Sequence, residues 1–381
     1  MGAAIVIVPG TVQRLTMSDE EYFGNGLPGY ISNSRMGLIN PEQGGSAKKY
    51  FYGFEDESKY SAALELGSAV HALILEEDKY TLAKVDKPTG MVGPIFDTVY
   101  KLVAREETPM EFEEALSVAV QVHNYYGGKV EGKRRETLIA SGKPYLEFLV
   151  KYKVPGTICL TPELKQKLLG CVDAFKANDT AMALLTPKSD EIFPVLSFNE
   201  DVIICEADYT EWEDAVGEYD LPKEKTTRVK LKAKIDNWTI DEENKVVTLN
   251  DLKTTGKSVQ DFPGRQGYEF TVINGEVQRC PVFEQGSFQT YHYYRQMHMY
   301  GEMLWAYVQE AYGVDRTWTL KVNMLVVETN KPHNCQVFGV SQTWLDYGKN
   351  EYVDLMRRIV WHTENGFDKL IEFDRGLVYT I

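Results

Sequence analysis

The stretch best equipped for chemistry runs from Lys232-Ala-Lys-Ile-Asp236 through Asp241-Glu-Glu-Asn-Lys245 to Val246-Val-Thr-Leu-Asn-Asp251-Leu-Lys253. Alternate side chains of a strand share a face, so Asp251 and Lys253 project one way while Leu252 points into the core. A hairpin turn at 241–245 brings Asp236 back beside them. Two carboxylates and a main-chain carbonyl, that of Leu252, form a hard oxygen donor set of the kind Mg²⁺ or Mn²⁺ prefers. A lysine beside such an ion can orient or deprotonate a water, or offset charge on a phosphorane-like transition state. These are the parts of a phosphodiester hydrolysis site. Asp-x-Lys alone is also an ordinary cross-strand ion pair on an exposed face. The apolar run Val246-Val-Thr-Leu before Asp251 favours the catalytic reading, because buried strands rarely carry Asp and Lys together.

The elements that must position these residues follow from the pattern of the 381-residue chain, long enough for one large domain or two modest ones. Residues 58–75 have helical spacing (Leu66, Val70, Leu73, Ile74), with Ser58 or Ser61 as cap. Helical stretches follow near 96–106 and 111–126, then a basic patch at Lys129, Lys133, Arg134 and Arg135. A helix over 162–178 opens on Thr161 as N-cap with Pro162 in its first position. After Pro187 the chain turns to β-rich runs, VIICEADY and RVKLKAKIDNWTI, separated by an acidic loop at 211–224. Residues 256–287 are rich in Gly and Pro and read as a loop. A long helix over 290–312, a strand (TLKVNMLVVE), a return strand (CQVFGVS) and a helix over 343–365 complete the chain. Strands flanked by helices, with an antiparallel hairpin among them, predict an α/β fold with a mixed central sheet.

Composition narrows the function classes. The charge of −15 argues against a general nucleic-acid coat protein, and a DNA enzyme would have to confine its contacts to one channel of Lys and Arg. No apolar run approaches the ~18 residues of a membrane span. The apolar opening Met1–Pro9 lacks the length and basic flank of a signal peptide and reads as an unpaired edge strand. Five scattered cysteines (Cys159, Cys171, Cys205, Cys280, Cys335) contain no CxxC pair. That predicts neither a zinc ribbon nor an iron–sulfur cluster, and fits reduced thiols in a cytoplasmic compartment.

A strand–turn–strand carrying Asp and then Asp-x-Lys resembles the PD-(D/E)XK nuclease superfamily. Gly67-Ser-Ala-Val-His71 is similar to the G-x-x-x-H motif of its RecB and RecE branch, and Gln296 with Tyr300 to that branch's Q-x-x-x-Y helix. Ile31-Ser-Asn-Ser34, Ser46-Ala-Lys-Lys-Tyr50 and the run from Asp251 to Pro263 resemble phage exonucleases of the RecE type. The resemblance covers about residues 30 to 365. It implies a restriction-endonuclease-like core in a single nuclease domain over 1–381. A mainly helical part, 1–185, would supply His71, 186–340 would form the catalytic core and 341–381 a C-terminal helix. It further implies a Mg²⁺- or Mn²⁺-dependent exonuclease acting on linear duplex DNA from the 5′ side. Such an enzyme would be phage-encoded, work in recombination in the host cytoplasm, form a ring, and partner a single-strand annealing protein. An endonuclease or nickase on the same core, or a catalytically silent DNA-binding recombination partner, are the alternatives.

Individual residues carry two readings each. A lone His on a half-apolar helix is more often a core residue, but the resemblance makes His71 a metal ligand or phosphate contact. Glu206 stands in the strand beside the hairpin as an additional metal carboxylate, with Asp208 as rival and a solvent-facing edge as the bland reading. Gln296 and Tyr300 share a helix face and, by resemblance, look onto the active site to position Lys253 or the DNA backbone. His292 and His298 read as solvent or interface residues. Ser34 and Arg35 could hold a terminal phosphate, with Ser34 as a helix N-cap the competing role. Thr254, Thr255 and Lys257 could bind the DNA backbone, or form a plain polar loop.

Overall fold

The period-two runs after Pro187 become the spine of a sheet. The structure, a computed structural model, describes residues 3–24, 26–53, 61–105, 108–187, 194–213, 223–273 and 276–369. It separates into two units: one of Met1–Ser58, Asn178–Glu328 and Asn334–Ile381, the other of Lys59–Ala177 with Thr329–His333.

In chain order the first unit opens with β1 (Ala4–Ile7), β2 (Gln13–Leu15), α1 (Asp19–Phe23), α2 (Asn33–Gly37) and α3 (Ala47–Tyr52). The second unit holds α4 (Ala62–Leu75), β3 (Thr81–Leu82), α5 (Val92–Val103), α6 (Phe112–Val122), α7 (Gly132–Tyr152), β4 (Thr157–Ile158) and α8 (Pro162–Lys176). The first unit resumes with α9 (Asp179–Leu185), β5 (Val195–Glu213), β6 (Lys223–Asp241), β7 (Val246–Thr255), β8 (Arg265–Ile273) and β9 (Glu276–Glu284). It ends with α10 (Ser287–Thr290), α11 (Tyr293–Tyr312), β10 (Thr319–Glu328), β11 (Cys335–Gly339) and α12 (Gln342–Asn365).

The main sheet runs β1-β5-β6-β7-β10-β11, with β2 also on β5. Every pair in it is antiparallel except β7 with β10, which is parallel. This is the α/β class with a mixed central sheet that the sequence predicts. One face is apolar: Trp238, Ile240, Val247 and Leu249 pack with Met297, Met303 and Leu304 of α11 and with Leu355, Met356 and Ile359 of α12. Each such side chain contributes about 1.5–3 kcal/mol on burial. In the second unit Ile95, Phe96, Leu116, Leu146 and Leu149 form a separate core from α5, α6 and α7. Lys87 is buried there between Glu65 and Asp97, a charge that its two carboxylate partners make tolerable. Thr161 caps α8 through the Leu164 amide, as the sequence predicts. Among the described residues no helix is long and apolar enough to cross a membrane.

Five expectations need correction. Residues 256–287 are not a loop throughout: β8 and β9 pair antiparallel as a separate hairpin. Gly and Pro content hid the alternation of Tyr268-Glu-Phe-Thr-Val-Ile273, and Asn274-Gly275 was the hairpin signal. The long helix over 290–312 is interrupted, because His292 takes the left-handed conformation (φ 54°) and starts α11 anew. The acidic stretch is narrower than 211–224, since β5 runs through Glu213 and β6 starts at Lys223. The opening segment is not unpaired: β1 lies antiparallel along β5, Ala4 opposite Thr210. Ser61, not hydrogen-bonded as a cap, precedes α4, and Ser58 lies outside the described residues.

Candidate active site

The turn after Asp241 sets the register of β6 and β7, which pair from Asp241 with Val246 up to Asn237 with Asn250, and there stop. Asp236 and Asp251 would be the next partners. The strands fork at that point instead, and the Leu252 amide donates to Asp236 Oδ2 at 2.7 Å. A side-chain carboxylate thus satisfies a main-chain donor at the end of the ladder. Asp251 is 1% exposed. Its Oδ1 accepts from Gln296 Nε2 at 2.8 Å and its Oδ2 lies 2.6 Å from Lys253 Nζ. The same ammonium is 3.3 Å from the Leu252 carbonyl and 4.0 Å from Asp236 Oδ2, and 5.4 Å from the centre of the Tyr293 ring. The five atoms or groups predicted from Asp236, Asp251, Leu252, Lys253 and Gln296 therefore meet in one place.

The electrostatics follow from burial. Burial alone would lower the Lys253 pKa, but the Asp251 and Asp236 carboxylates more than offset it, and the net shift is upward. With both carboxylates beside it, Lys253 is an ammonium and a hydrogen-bond donor. Tyr300, one helical turn beyond Gln296, is held neutral well above the usual phenol range. Burial is the main cause; Asp251, Asp236 and Glu200 add negative charge nearby, and the Tyr22 phenol also disfavours ionisation.

Behind the carboxylates, on the other face by alternation, four asparagines stand in register on four neighbouring strands. Asn199 opposes Asn237, Asn237 opposes Asn250, and Asn250 opposes Asn323. Their side chains are hydrogen-bonded in series at 2.7, 2.7 and 3.0 Å. A one-residue slip of any of these strands would break the series and turn the carboxylates to the wrong face.

The structure supplies a carboxylate the sequence did not single out. Glu200 falls between the pairs Asn199–Asn237 and Asp201–Ile235, opposite Asp236, in the left-handed region (φ 55°). A non-glycine residue held there costs about 1–3 kcal/mol. Carboxylate oxygens of Glu200 and Asp236 lie within 4.8 Å of one another, and Lys234 forms an ion pair with Glu200. Glu206, the expected third carboxylate, is six positions farther along β5, opposite Lys230. It is paired with Arg228 at 2.8 Å, as is Asp208 at 2.6 Å. Only the β5–β6 register distinguishes the two glutamates, and no turn motif in the sequence fixes it.

The other predicted residues are placed as follows. His71 lies on α4 in the second unit, half-buried. Ser32, not Ser34, caps α2 by accepting from the Arg35 amide at 3.2 Å, leaving Ser34 exposed in the first turn. The Arg35 guanidinium lies over the Tyr50 ring at 4.8 Å. Thr254 continues β7 opposite Val327, half-buried. Thr255 is buried and its hydroxyl accepts from the Lys257 amide at 3.1 Å, so it shapes the turn, while Lys257 is exposed. His292 is not a solvent residue: it is buried, 2.9 Å from the Glu351 carboxylate and 2.7 Å from the Tyr294 hydroxyl. His298 is half-buried, and burial with Lys349 pushes its pKa down to about 4, against Asp346.

No family model matches the chain, and no curated protein matches it. Among solved structures, the chain is similar to a protein from Eubacterium rectale named "Putative exonuclease", with 12% identity, 96% of each chain covered and a TM-score of 0.46. A likeness that distant adds no argument to the geometry of the site.

Proposed function

We propose that the protein is a metal-dependent nuclease that hydrolyses DNA at the β6–β7 fork. The observation that carries the proposal is the convergence of Asp236, Asp251 and Lys253 around Leu252: Asp236 accepts from its amide, and Lys253 reaches both its carbonyl and Asp251. The donors fit a hard divalent cation: Asp236, Asp251 and Glu200 offer carboxylate oxygens and Leu252 a carbonyl. The Glu200 and Asp236 carboxylate oxygens lie within 4.8 Å of one another. His71 joins this set as a proposal from the sequence motif.

When bound, Mg²⁺ or Mn²⁺ would polarise the phosphate and lower the pKa of a bound water. Gln296 holds Asp251 through Oδ1, leaving Oδ2 for Lys253 or an ion. Lys253, as an ammonium, stabilises charge on the non-bridging phosphate oxygens or donates a proton to the leaving oxygen. Tyr300 stays a neutral phenol against the carboxylates. On the motif resemblance, the substrate is linear duplex DNA attacked from its 5′ end, in a phage-type recombination role with an annealing partner and a ring assembly. A ring would gather Lys and Arg inward and leave the net charge of −15 outside.

Purified protein incubated with Mg²⁺, end-labelled linear duplex and covalently closed circles tests this reading. Release of short products from linear DNA alone supports an exonuclease. Rapid cutting of closed circles would replace it with an endonuclease, and no cutting of either would leave a DNA-binding protein.

A further inference from the structure

The turn between α10 and α11 sets one tyrosine against the core and one outside it. His292, at φ 54°, is buried beside Glu351 and the Tyr294 hydroxyl, Tyr293 packs against the core and Tyr291 is exposed. The Tyr293 ring contacts Lys253 Nζ from one side and stacks on Phe262 at 5.8 Å, with 19° between the planes. Phe262 in turn stacks on Phe338 at 5.5 Å. On the outer side the Tyr291 ring is 5.7 Å from that of Tyr293 and is 57% exposed. A single exposed aromatic is commonplace. Here, however, the ring ends a column of aromatics rooted in the core, and one ring separates it from the ammonium that touches Asp251.

We propose that Tyr291 is a stacking platform for an unpaired nucleobase of the strand whose phosphate lies at Asp251 and Lys253. The proposal rests on the nuclease reading and specifies the substrate end it takes. Every base offers a π-face, so an aromatic platform is tolerant of sequence. A base inside a duplex is already stacked on both sides and gains nothing. An unpaired base at a frayed or single-stranded end gains a partner, so the site favours such ends over blunt ones. The Tyr293 ring, tilted 44° to that of Tyr291, backs one side of the platform.

The test uses full-length protein and an oligonucleotide duplex with short unpaired ends carrying 2-aminopurine, with Ca²⁺ in place of Mg²⁺ so that binding is read without cleavage. Wild type and Tyr291→Phe are expected to quench the fluorescence alike. Tyr291→Ala is expected to bind about tenfold more weakly and to lose the quench. An abasic end should weaken wild type by a similar factor and add nothing to the loss in Tyr291→Ala. Equal quench in Tyr291→Ala, or an abasic penalty that persists in that variant, would overturn the platform. So would a change of sedimentation in Tyr291→Ala with the quench intact, which would assign the ring to a contact between copies. If quench and its loss are as expected but Mg²⁺ yields no cleavage, the platform stands and the hydrolytic reading fails.

Discussion

The Leu252 amide is hydrogen-bonded to Asp236 Oδ2 at the residue where β6 and β7 stop pairing, and this contact makes one carboxylate both a structural acceptor and a candidate metal ligand. The two roles can be separated by substitution. Asp236→Asn keeps an acceptor for the amide and removes one negative charge beside Asp251 and Glu200. In metal chelator its unfolding free energy should equal or exceed that of wild type, while metal-dependent cleavage disappears. Asp236→Ala strands the amide and should unfold about 1–2 kcal/mol more easily than the Asn variant. Urea denaturation in EDTA measures the difference; equal stabilities would mean the amide finds water at no cost.

The asparagine series predicts an unequal cost along its length. Asn250→Ala removes the middle of the series and leaves both Asn237 Oδ1 and Asn323 Nδ2 without their partner. A loss of about 3 kcal/mol is expected. Asn323→Ala, at the half-buried end, should cost about 1 kcal/mol. Denaturation midpoints of the two variants decide this, and equal losses would show that the side chains do not act in series.

His298 gives the first unit a pH dependence. Its folded pKa of about 4 lies below the 6.5 of the unfolded chain, so the unfolded state binds the proton first as pH falls. Stability contributed by the neutral ring is complete above pH 6.5 and is lost as pH drops toward 4, by about 2 kcal/mol allowing for partial exposure. Glu302, in the same cleft with Lys349 and Tyr352, has its carboxyl raised by burial and opposes this trend. The difference between wild type and His298→Gln is therefore the readout. The variant should lose less stability between pH 6.5 and 4; parallel profiles would show that His298 takes up its proton without cost.

His71 is the residue whose role rests on the motif alone. His71→Ala should reduce cleavage about a hundredfold or more, with partial rescue by Mn²⁺, and shift the melting temperature little. A large drop in melting temperature with normal turnover would make it a core histidine of α4.

The hairpin and the meeting of its side chains were readable in advance because they depend on local rules. Period two fixes the shared face of Asp251 and Lys253, the turn at 241–245 sets the return to Asp236, and period 3.6 aligns Gln296 with Tyr300. Glu200 was not readable, because its place opposite Asp236 depends on the register of two nineteen-residue strands, which no local signal sets. Nor were the four asparagines, each of them ordinary until the strand order makes them neighbours. His292 was misread because a histidine in a left-handed turn is buried only by partners, Glu351 among them, that are distant in sequence.

Asp251→Asn gives the most direct test of the central claim. The substitution keeps an Oδ1 acceptor for Gln296, removes the charge at the fork and replaces the oxygen beside Lys253 with an amide nitrogen. With Mg²⁺ saturating for wild type, single-turnover hydrolysis of end-labelled linear duplex should fall by about a thousandfold or more, with circular dichroism unchanged. Undiminished cleavage by this variant, in buffers cleared of contaminating nuclease, would contradict the assignment of the β6–β7 fork as the active site.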